Sequence, residues 1–254
     1  MRLDAYLHEK GYFASRTKAK RAIDDGKVYL DGKVCTRSSL EIDEDVRREI
    51  EVFADNEYVS LGGYKLEKAL RDFDFSVKDM VVADLGASTG GFTDCLLQNG
   101  AKMVYAVDLN DELLDERLKG DERVTLIVKN VKLLDRECFP EKIDLVTADL
   151  SFIPRTKTLK IMSDIIDLGG YVIALIKPQF ESETRVKRKN GIVKEESART
   201  EACRRVYDCA LKEGFAPLKI TTAPLKQNKN VEYPILLKRT KNPDEAVAFD
   251  RLFD

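Results

Sequence analysis

Histidine is almost missing from this sequence: among 254 residues there is only His8. One histidine excludes an HExxH or Cys2His2 zinc site, and a Ser-His-Asp triad would have to use this residue. Acid-base chemistry therefore falls to Lys, Asp, Glu, Tyr or Cys, and no metal site is expected. Cysteine is sparse and unpatterned. Cys35, Cys95, Cys138, Cys203 and Cys209 form no CxxC pair, and an odd, scattered set fits a reducing compartment better than a disulfide framework. Long apolar runs are also missing. The start, Met1-Arg-Leu-Asp, lacks the apolar stretch of a signal peptide, and the most apolar run, Tyr171–Ile176, falls far short of the ~20 residues that span a bilayer. A soluble cytoplasmic protein without stable membrane association is the expectation. Nor is there an excess of one charge. Lys and Arg number 43 against 45 Asp and Glu, a net charge of −2, which gives no overall basic signature for a nucleic-acid partner.

What is present is ordinary globular composition, 43% hydrophobic and 35% charged, in a chain long enough for one large or two unequal domains at ~150 residues each. The pattern divides near residue 60. Residues 1–52 read as a small α-plus-strand module. Leu3 and Leu7 share a helical face, and Ser15 can cap a second helix with Ala19, Ala22 and Ile23 along one side. Gly26 stops that helix. Val28-Tyr29-Leu30, the turn Asp31-Gly32 and Val34-Cys35 read as a hairpin, with 49–52 as a further strand. Basic residues (Lys10, Arg16, Lys18, Lys20, Arg21, Lys27, Lys33, Arg37) dominate this stretch, and the acidic segment 41–45 cancels them in the total. A local patch of this kind suits a reader of phosphate backbone; a solvated helix face explains it equally well.

The run Arg2-Leu-Asp-x-x-Leu, followed by Ser15-Arg16-x-x-Ala19-x-x-x-Ile23-x-x-Gly26-x-Val28 and Asp31-Gly32-Lys33, resembles the RNA-binding domain first named from a small-subunit ribosomal protein. The resemblance implies that the helix pair and hairpin meet structured RNA, with Arg2, Arg16, Lys18, Lys20, Arg21, Lys27 and Lys33 as the candidate contacts.

From residue 60 onward, strand-like and helix-like segments alternate. Strands are predicted at 81–85, 103–107, 124–128, 143–148, 171–176, 218–220 and 231–237, and helices at 92–99, 112–118, 156–166 and 197–213. Such alternation predicts an α/β fold with a mostly parallel, Rossmann-like sheet, whose ligands sit at the carboxyl ends of the strands. The first of these strands runs into Asp84-Leu-Gly86-Ala-Ser88-Thr89-Gly90-Gly91-Phe92. Glycines at a strand-to-helix turn let backbone approach a ligand, and the helix start supplies amide donors. This is not the GxGxxG of a dinucleotide site, which speaks against a dehydrogenase. A carboxylate before the turn repels phosphates but can pair with a cation, which suits S-adenosylmethionine. Asp108 ends the next strand, where an acid commonly accepts ribose hydroxyls. Asn130 lines the adenine pocket or serves as a simple turn residue.

Asp149 closes the strand 143–148, Lys177 closes 171–176, and Glu232 begins the last strand. If that strand runs antiparallel, all three converge on the cofactor crevice. Lys65 lies on a helix before the first strand, whose docking the sequence does not reveal.

With the N-terminal module, these motifs closely resemble the TlyA family of ribosomal RNA 2′-O-methyltransferases, often labelled hemolysin A-like. The resemblance runs through Tyr-Val-Ser60, Gly62-Gly63, Lys65-Leu66, the segment from Asp84 to Asp94, Asp149-Leu-Ser-Phe152, Lys177-Pro-Gln-Phe180 and Asn230-Val-Glu-Tyr233. It implies an RNA-binding domain with linker over 1–59 and an FtsJ-like methyltransferase domain over 60–254. It further implies a catalytic tetrad of Lys65, Asp149, Lys177 and Glu232, S-adenosylmethionine as donor, and cytidine ribose in ribosomal RNA as acceptor. Leu61 departs from the family's usual basic residue, and Leu225-Lys-Gln-Asn-Lys from a more glycine-rich loop.

The tetrad makes sense without histidine. A ribose hydroxyl is a weak nucleophile, so the protein must orient it and generate or stabilise alkoxide. Lys177 suits that task, as base if nearby Lys65 disfavours a second ammonium, or as a charged stabiliser. Asp149 and Glu232 would orient the lysines. The segment 181–196, with Arg185, Lys187, Arg188 and Lys189, reads as an RNA-facing loop or a solvated insertion. A small-molecule methyltransferase would leave the N-terminal module unexplained, a non-catalytic RNA-binding protein would leave the tetrad unexplained, and a membrane-active hemolysin lacks a spanning helix.

Overall fold

The structure, a computed structural model, describes residues 1–13, 15–24, 26–31, 33–43, 50–52, 58–181, 192–224 and 229–253. The chain forms two compact units, Met1–Glu57 with Pro224–Lys229, and Tyr58–Ala223 with Asn230–Asp254.

In the first unit, α1 (Leu3–Glu9) buries Leu3 and Leu7, and α2 (Arg16–Asp24) buries Ala19, Ala22 and Ile23. Ser15 Oγ accepts the Lys18 amide at 3.2 Å, the cap that the sequence predicts. Strand β1 (Val28–Leu30) lies between β2 (Lys33–Val34) and β3 (Ile50–Val52), antiparallel to both. One apolar cluster joins these elements through Leu3, Leu7, Ile23, Val28, Leu30 and Ile42. Gly32, the side chain of Lys33, and Glu49 lie outside the described residues.

The second unit opens with α3 (Gly62–Phe73) and continues as β4 (Val81–Leu85), α4 (Gly91–Gln98), β5 (Met103–Asp108), α5 (Glu116–Lys119) and β6 (Val124–Val128). It proceeds through β7 (Leu145–Ala148), α6 (Arg155–Ile165), β8 (Tyr171–Ile176), the short α7 (Pro178–Glu181), α8 (Glu196–Lys212), β9 (Phe215–Ile220) and β10 (Tyr233–Arg239). The seven strands are ordered β6-β5-β4-β7-β8-β10-β9. β4 through β8 run parallel, and β10 is antiparallel to both β8 and β9. This is the mostly parallel sheet with an antiparallel last strand that the sequence predicts. The chain progresses outward from β4 in one direction and from β7 in the other, so the order reverses between those two strands. A crevice at the carboxyl edge forms at such a reversal. Both central strands are wholly buried, and the apolar packing of the sheet supplies the rigidity behind that edge.

Four elements differ from expectation by two residues or more, and β7 is the simplest case, beginning at Leu145 instead of 143. α5 is a single turn within 116–119 instead of 112–118: Asn110 Oδ1 accepts the Glu112 amide at 2.9 Å, and Asp115 caps the helix by accepting the Arg117 amide at 2.9 Å, so the preceding residues form a loop. β9 begins at Phe215, three residues early, with Pro217 tolerated because β9 is an edge strand. β10 begins at Tyr233, so Glu232 precedes the strand; its carbonyl accepts the Ala223 amide at 2.9 Å. The expected loop lies outside the described residues over 182–191, as do 225–228.

Candidate active site

The turn after β4 alternates left-handed residues: Gly86 at φ +82°, Ser88 at +50° and Gly90 at +94°. Gly90 has a second constraint, since a Cβ there would stand 2.2 Å from Leu118 Cδ1 and 2.8 Å from Leu114 Cδ1. The turn is pinned to β5. The Gly86 and Ala87 amides donate to the Val107 carbonyl, and the Ser88 amide donates to Asp108 Oδ2 at 2.8 Å. Ser88 and Thr89 are exposed, while Phe92 is buried in α4.

Asp84 does not present an open anion. It is 1% exposed; its Oδ1 accepts the Thr147 hydroxyl at 2.9 Å and its Oδ2 that of Thr93 at 2.7 Å. Burial pushes its carboxyl up to about 6, against the pull of those two hydroxyls. The expected direct pairing with a cofactor cation is thus corrected: Asp84 ties β4 to β7 and α4 beneath the turn. Asp108 is half-buried and receives the Ser88 and Leu109 amides, the latter at 2.7 Å. Asn130 takes the turn role, its Oδ1 capping the next turn by accepting the Lys132 amide at 3.0 Å.

Four charged side chains meet at the same edge. Lys177 follows β8 and is buried; its Nζ lies 2.5 Å from Asp149 Oδ1 and donates to Ser151 Oγ at 3.2 Å. Asp149 follows β7. Lys65, from α3, donates to Asp149 Oδ2 at 3.3 Å and to Glu232 Oε2 at 2.7 Å. The order is Lys177, Asp149, Lys65, Glu232, with charges alternating in sign. Burial opposes charge on Asp149, yet the two lysines outweigh it and hold the carboxyl below its usual range. Burial likewise opposes charge on Lys65, and Asp149 with Glu232 reverse that, raising it. A carboxylate stands between the lysines, so the direct repulsion expected from sequence is interrupted.

The helix α3 docks because backbone meets backbone. A Cβ on Gly91 would stand 2.2 Å from Ser60 Oγ and 2.8 Å from the Gly63 nitrogen. Asp94 Oδ2 accepts the Val59 amide at 2.8 Å, fastening the same approach to α4. Lys65 thus sits one turn into a helix seated on the start of α4.

Two residues beside the tetrad carry no sequence signal for their roles. Arg155, 1% exposed, donates through Nη2 to the carbonyls of Leu150 and Ile153, both at 2.9 Å. Its backbone amide donates to buried Glu181 Oε1 at 2.5 Å. Burial pushes the guanidinium down to about 10. Phe152, within the loop that Arg155 holds, is 85% exposed at φ +66°, with its ring 5.3 Å from that of Phe180. An aromatic ring held this far into solvent in the left-handed region is a candidate stacking surface.

The RNA candidates of the first unit, Arg2, Arg16, Lys18, Lys20 and Arg21, are exposed, and Lys27 is half-buried. Exposed His8 shares that unit, its Nδ1 3.0 Å from the Phe13 carbonyl oxygen. All five cysteines are free thiols.

The profile of the FtsJ-like methyltransferase family matches residues 58–240. The chain belongs to this family. The S4 domain profile matches residues 1–47. The 16S/23S rRNA (cytidine-2′-O)-methyltransferase TlyA of Mycobacterium tuberculosis is 32% identical over 255 residues, covering 100% of this chain and 94% of that protein, which puts the chain in the TlyA group. Hemolysin A of Brachyspira hyodysenteriae is 40% identical over 241 residues, covering 92% of this chain and 98% of that protein. A solved chain from Streptococcus thermophilus that carries a hemolysin name is 36% identical, with TM-score 0.73, covering 99% of this chain and 94% of that one. Among the described residues, no helix is long and apolar enough to cross a membrane.

Proposed function

We propose that this FtsJ-like methyltransferase transfers a methyl group from S-adenosylmethionine to the ribose 2′-hydroxyl of cytidine in ribosomal RNA. The observation that carries this reading is the alternating Lys177, Asp149, Lys65 and Glu232 array at the carboxyl edge of the sheet. The activity named for the Mycobacterium tuberculosis relative supports the acceptor. The family match and the turn support the cofactor: the segment from Gly86 to Gly91 is not the GxGxxG of a dinucleotide site, and Asp108 at its edge suits hydroxyls. Residues 86–92 and Asp108 would hold it, with Asp84 bracing the turn from below and Asn130 shaping the neighbouring loop.

Bound S-adenosylmethionine supplies an electrophilic methyl group. This chain's own work is on the acceptor. Lys177, fixed by Asp149 and Ser151, directs its ammonium at the ribose oxygen and stabilises the negative charge that develops as the hydroxyl proton is released to solvent water and the oxygen takes the methyl group. Asp149 aims both lysines, while Lys65 and Glu232 keep Asp149 from swinging and keep the net charge of the array near zero. Residues 1–59 act as RNA-binding domain and linker and 60–254 as the catalytic domain, working on ribosomal RNA or ribosomal subunits in the cytoplasm.

Lys177→Ala is the direct test. It should lower methyl transfer at least ~100-fold, the size of effect seen when a donor to developing charge is removed, while leaving S-adenosylmethionine affinity nearly unchanged by calorimetry. Near-normal turnover would remove Lys177 from the chemistry. Mapping ribose methylation on ribosomal RNA with and without the protein then tests the acceptor: a lost cytidine mark is expected.

A further inference from the structure

Within the first unit one acid is treated unlike the rest. Asp4 is the only buried acidic side chain among the described residues there, 3% exposed, yet it opens onto the basic surface. Its Oδ1 accepts Arg2 Nε at 3.1 Å and the Ala5 amide at 3.0 Å. Its Oδ2 accepts Arg2 Nη2 at 3.0 Å and Arg16 Nε at 3.1 Å. The two guanidinium groups therefore converge on one carboxylate oxygen, one from the residue that precedes α1 and the other from the start of α2, while their side chains remain 44% and 54% exposed. Asp4 itself cannot shift easily. Arg2 pairs with Glu41 in a β-bridge, and the Leu3 amide donates to the Leu40 carbonyl at 2.7 Å. Hydrogen bonds from Arg2 and Arg16 hold its carboxyl down at about 2, so it is ionised at neutral pH.

We propose that Asp4 is a positioning residue for phosphate recognition: it locks Arg2 and Arg16 into a two-guanidinium fork that takes a phosphate of the RNA backbone. The proposal rests on the RNA-binding reading of this unit. Asp4 engages Nε and Nη2 of Arg2 and only Nε of Arg16, so Nη1 of Arg2 and both terminal nitrogens of Arg16 lie outside its grip. A free arginine loses rotamer freedom when it meets a phosphate, and Arg2 and Arg16 have lost it beforehand. Coulomb repulsion between Asp4 and the phosphate works the other way. Burial of Asp4 behind the two cations limits that repulsion, so preorganisation wins.

The sign of one substitution decides the matter. If charge alone governs, Asp4→Asn removes a negative charge from a basic surface and tightens RNA binding. If the fork governs, Asp4→Asn weakens it, by about threefold to tenfold for the ordering of one to two side chains. Binding of transcribed ribosomal RNA by the full-length protein is measured for wild type, Asp4→Asn, Arg2→Lys with Arg16→Lys, and Arg2→Ala with Arg16→Ala, the last pair with and without Asp4→Asn. The double-lysine variant should weaken binding like Asp4→Asn, because lysine keeps the charge without the planar fork. In the double-alanine background Asp4→Asn should be neutral or slightly tightening. Equal or tighter binding by Asp4→Asn in the wild-type background overturns the proposal. So does an equal loss in both backgrounds, which would make Asp4 a purely structural residue, a result readable even if the variant is less stable. Absence of binding by the wild type would instead sink the RNA-binding reading, and the fork with it.

Discussion

Asp84 and Asp149 follow one another across adjacent strands, yet their surroundings push them in opposite directions. Asp84 has only neutral donors, the Thr93 and Thr147 hydroxyls and the Thr93 backbone, to offset complete burial, and its carboxyl rises from 3.8 to about 6; Asp149 has two lysines, and its carboxyl falls. The sign for stability follows. A carboxyl raised in the folded state favours folding below its unfolded value of 3.8, and that contribution is lost as pH rises through about 6. Carrying the charge above that range costs on the order of 3 kcal/mol. Asp84→Asn keeps the shape and cannot ionise, so its melting temperature relative to wild type should be highest at pH 7 and decline steadily toward pH 4. A difference that stays flat across that window, in calorimetric scans of both proteins, would mean that the Asp84 carboxyl is not raised in the folded protein and titrates where it does in the unfolded chain. Sequence placed Asp84 at the turn correctly but assigned it to a cation, because position along a strand does not say which way a carboxylate is satisfied. Lys177 and Asp149 were legible for a simpler reason: Lys177 is the first charge after the unbroken apolar run of β8, and Asp149 is the charge that follows the short buried strand β7.

At the scale of elements, the loop from β7 to α6 is the part of the active edge that depends most on a residue with no sequence signature. An arginine in the first turn of a helix, as Arg155 is in α6, is ordinarily a solvated charge. Instead its guanidinium holds the Leu150 and Ile153 carbonyls and so fixes Ser151 and Phe152 between them. Arg155→Leu leaves both carbonyls without that donor and should cost roughly 2 kcal/mol, or roughly 4–8 °C in melting temperature for a unit of this size. The turnover number should drop before S-adenosylmethionine affinity does; unchanged turnover with only a lower melting temperature would confine Arg155 to stability. The strands themselves were readable because parallel strands buried on both faces appear as short apolar runs between turns. The seat of α3 was not, since it depends on close backbone approach at Gly91, and a glycine in sequence does not name its neighbour.

For the whole molecule, the near-neutral charge is an average over surfaces that act separately. At 0.15 M salt the Debye length is about 8 Å, so a bound phosphate senses the charges beside it and little of the remaining sum. The local reading and the net-charge reading separate on two sets of variants. Replacing Lys18, Lys20 and Arg21 with Ala should weaken ribosomal RNA binding and flatten the plot of log affinity against log salt by up to about two to three units, from three fewer phosphate contacts. Glu116→Gln with Asp250→Asn, two exposed acids of the second unit, brings the formal net charge from −2 to zero. That pair should leave affinity and slope where they were. If the acid replacements tighten binding as much as the basic replacements weaken it, the summed charge governs association, and the basic face of α2 is no more than its solvated side.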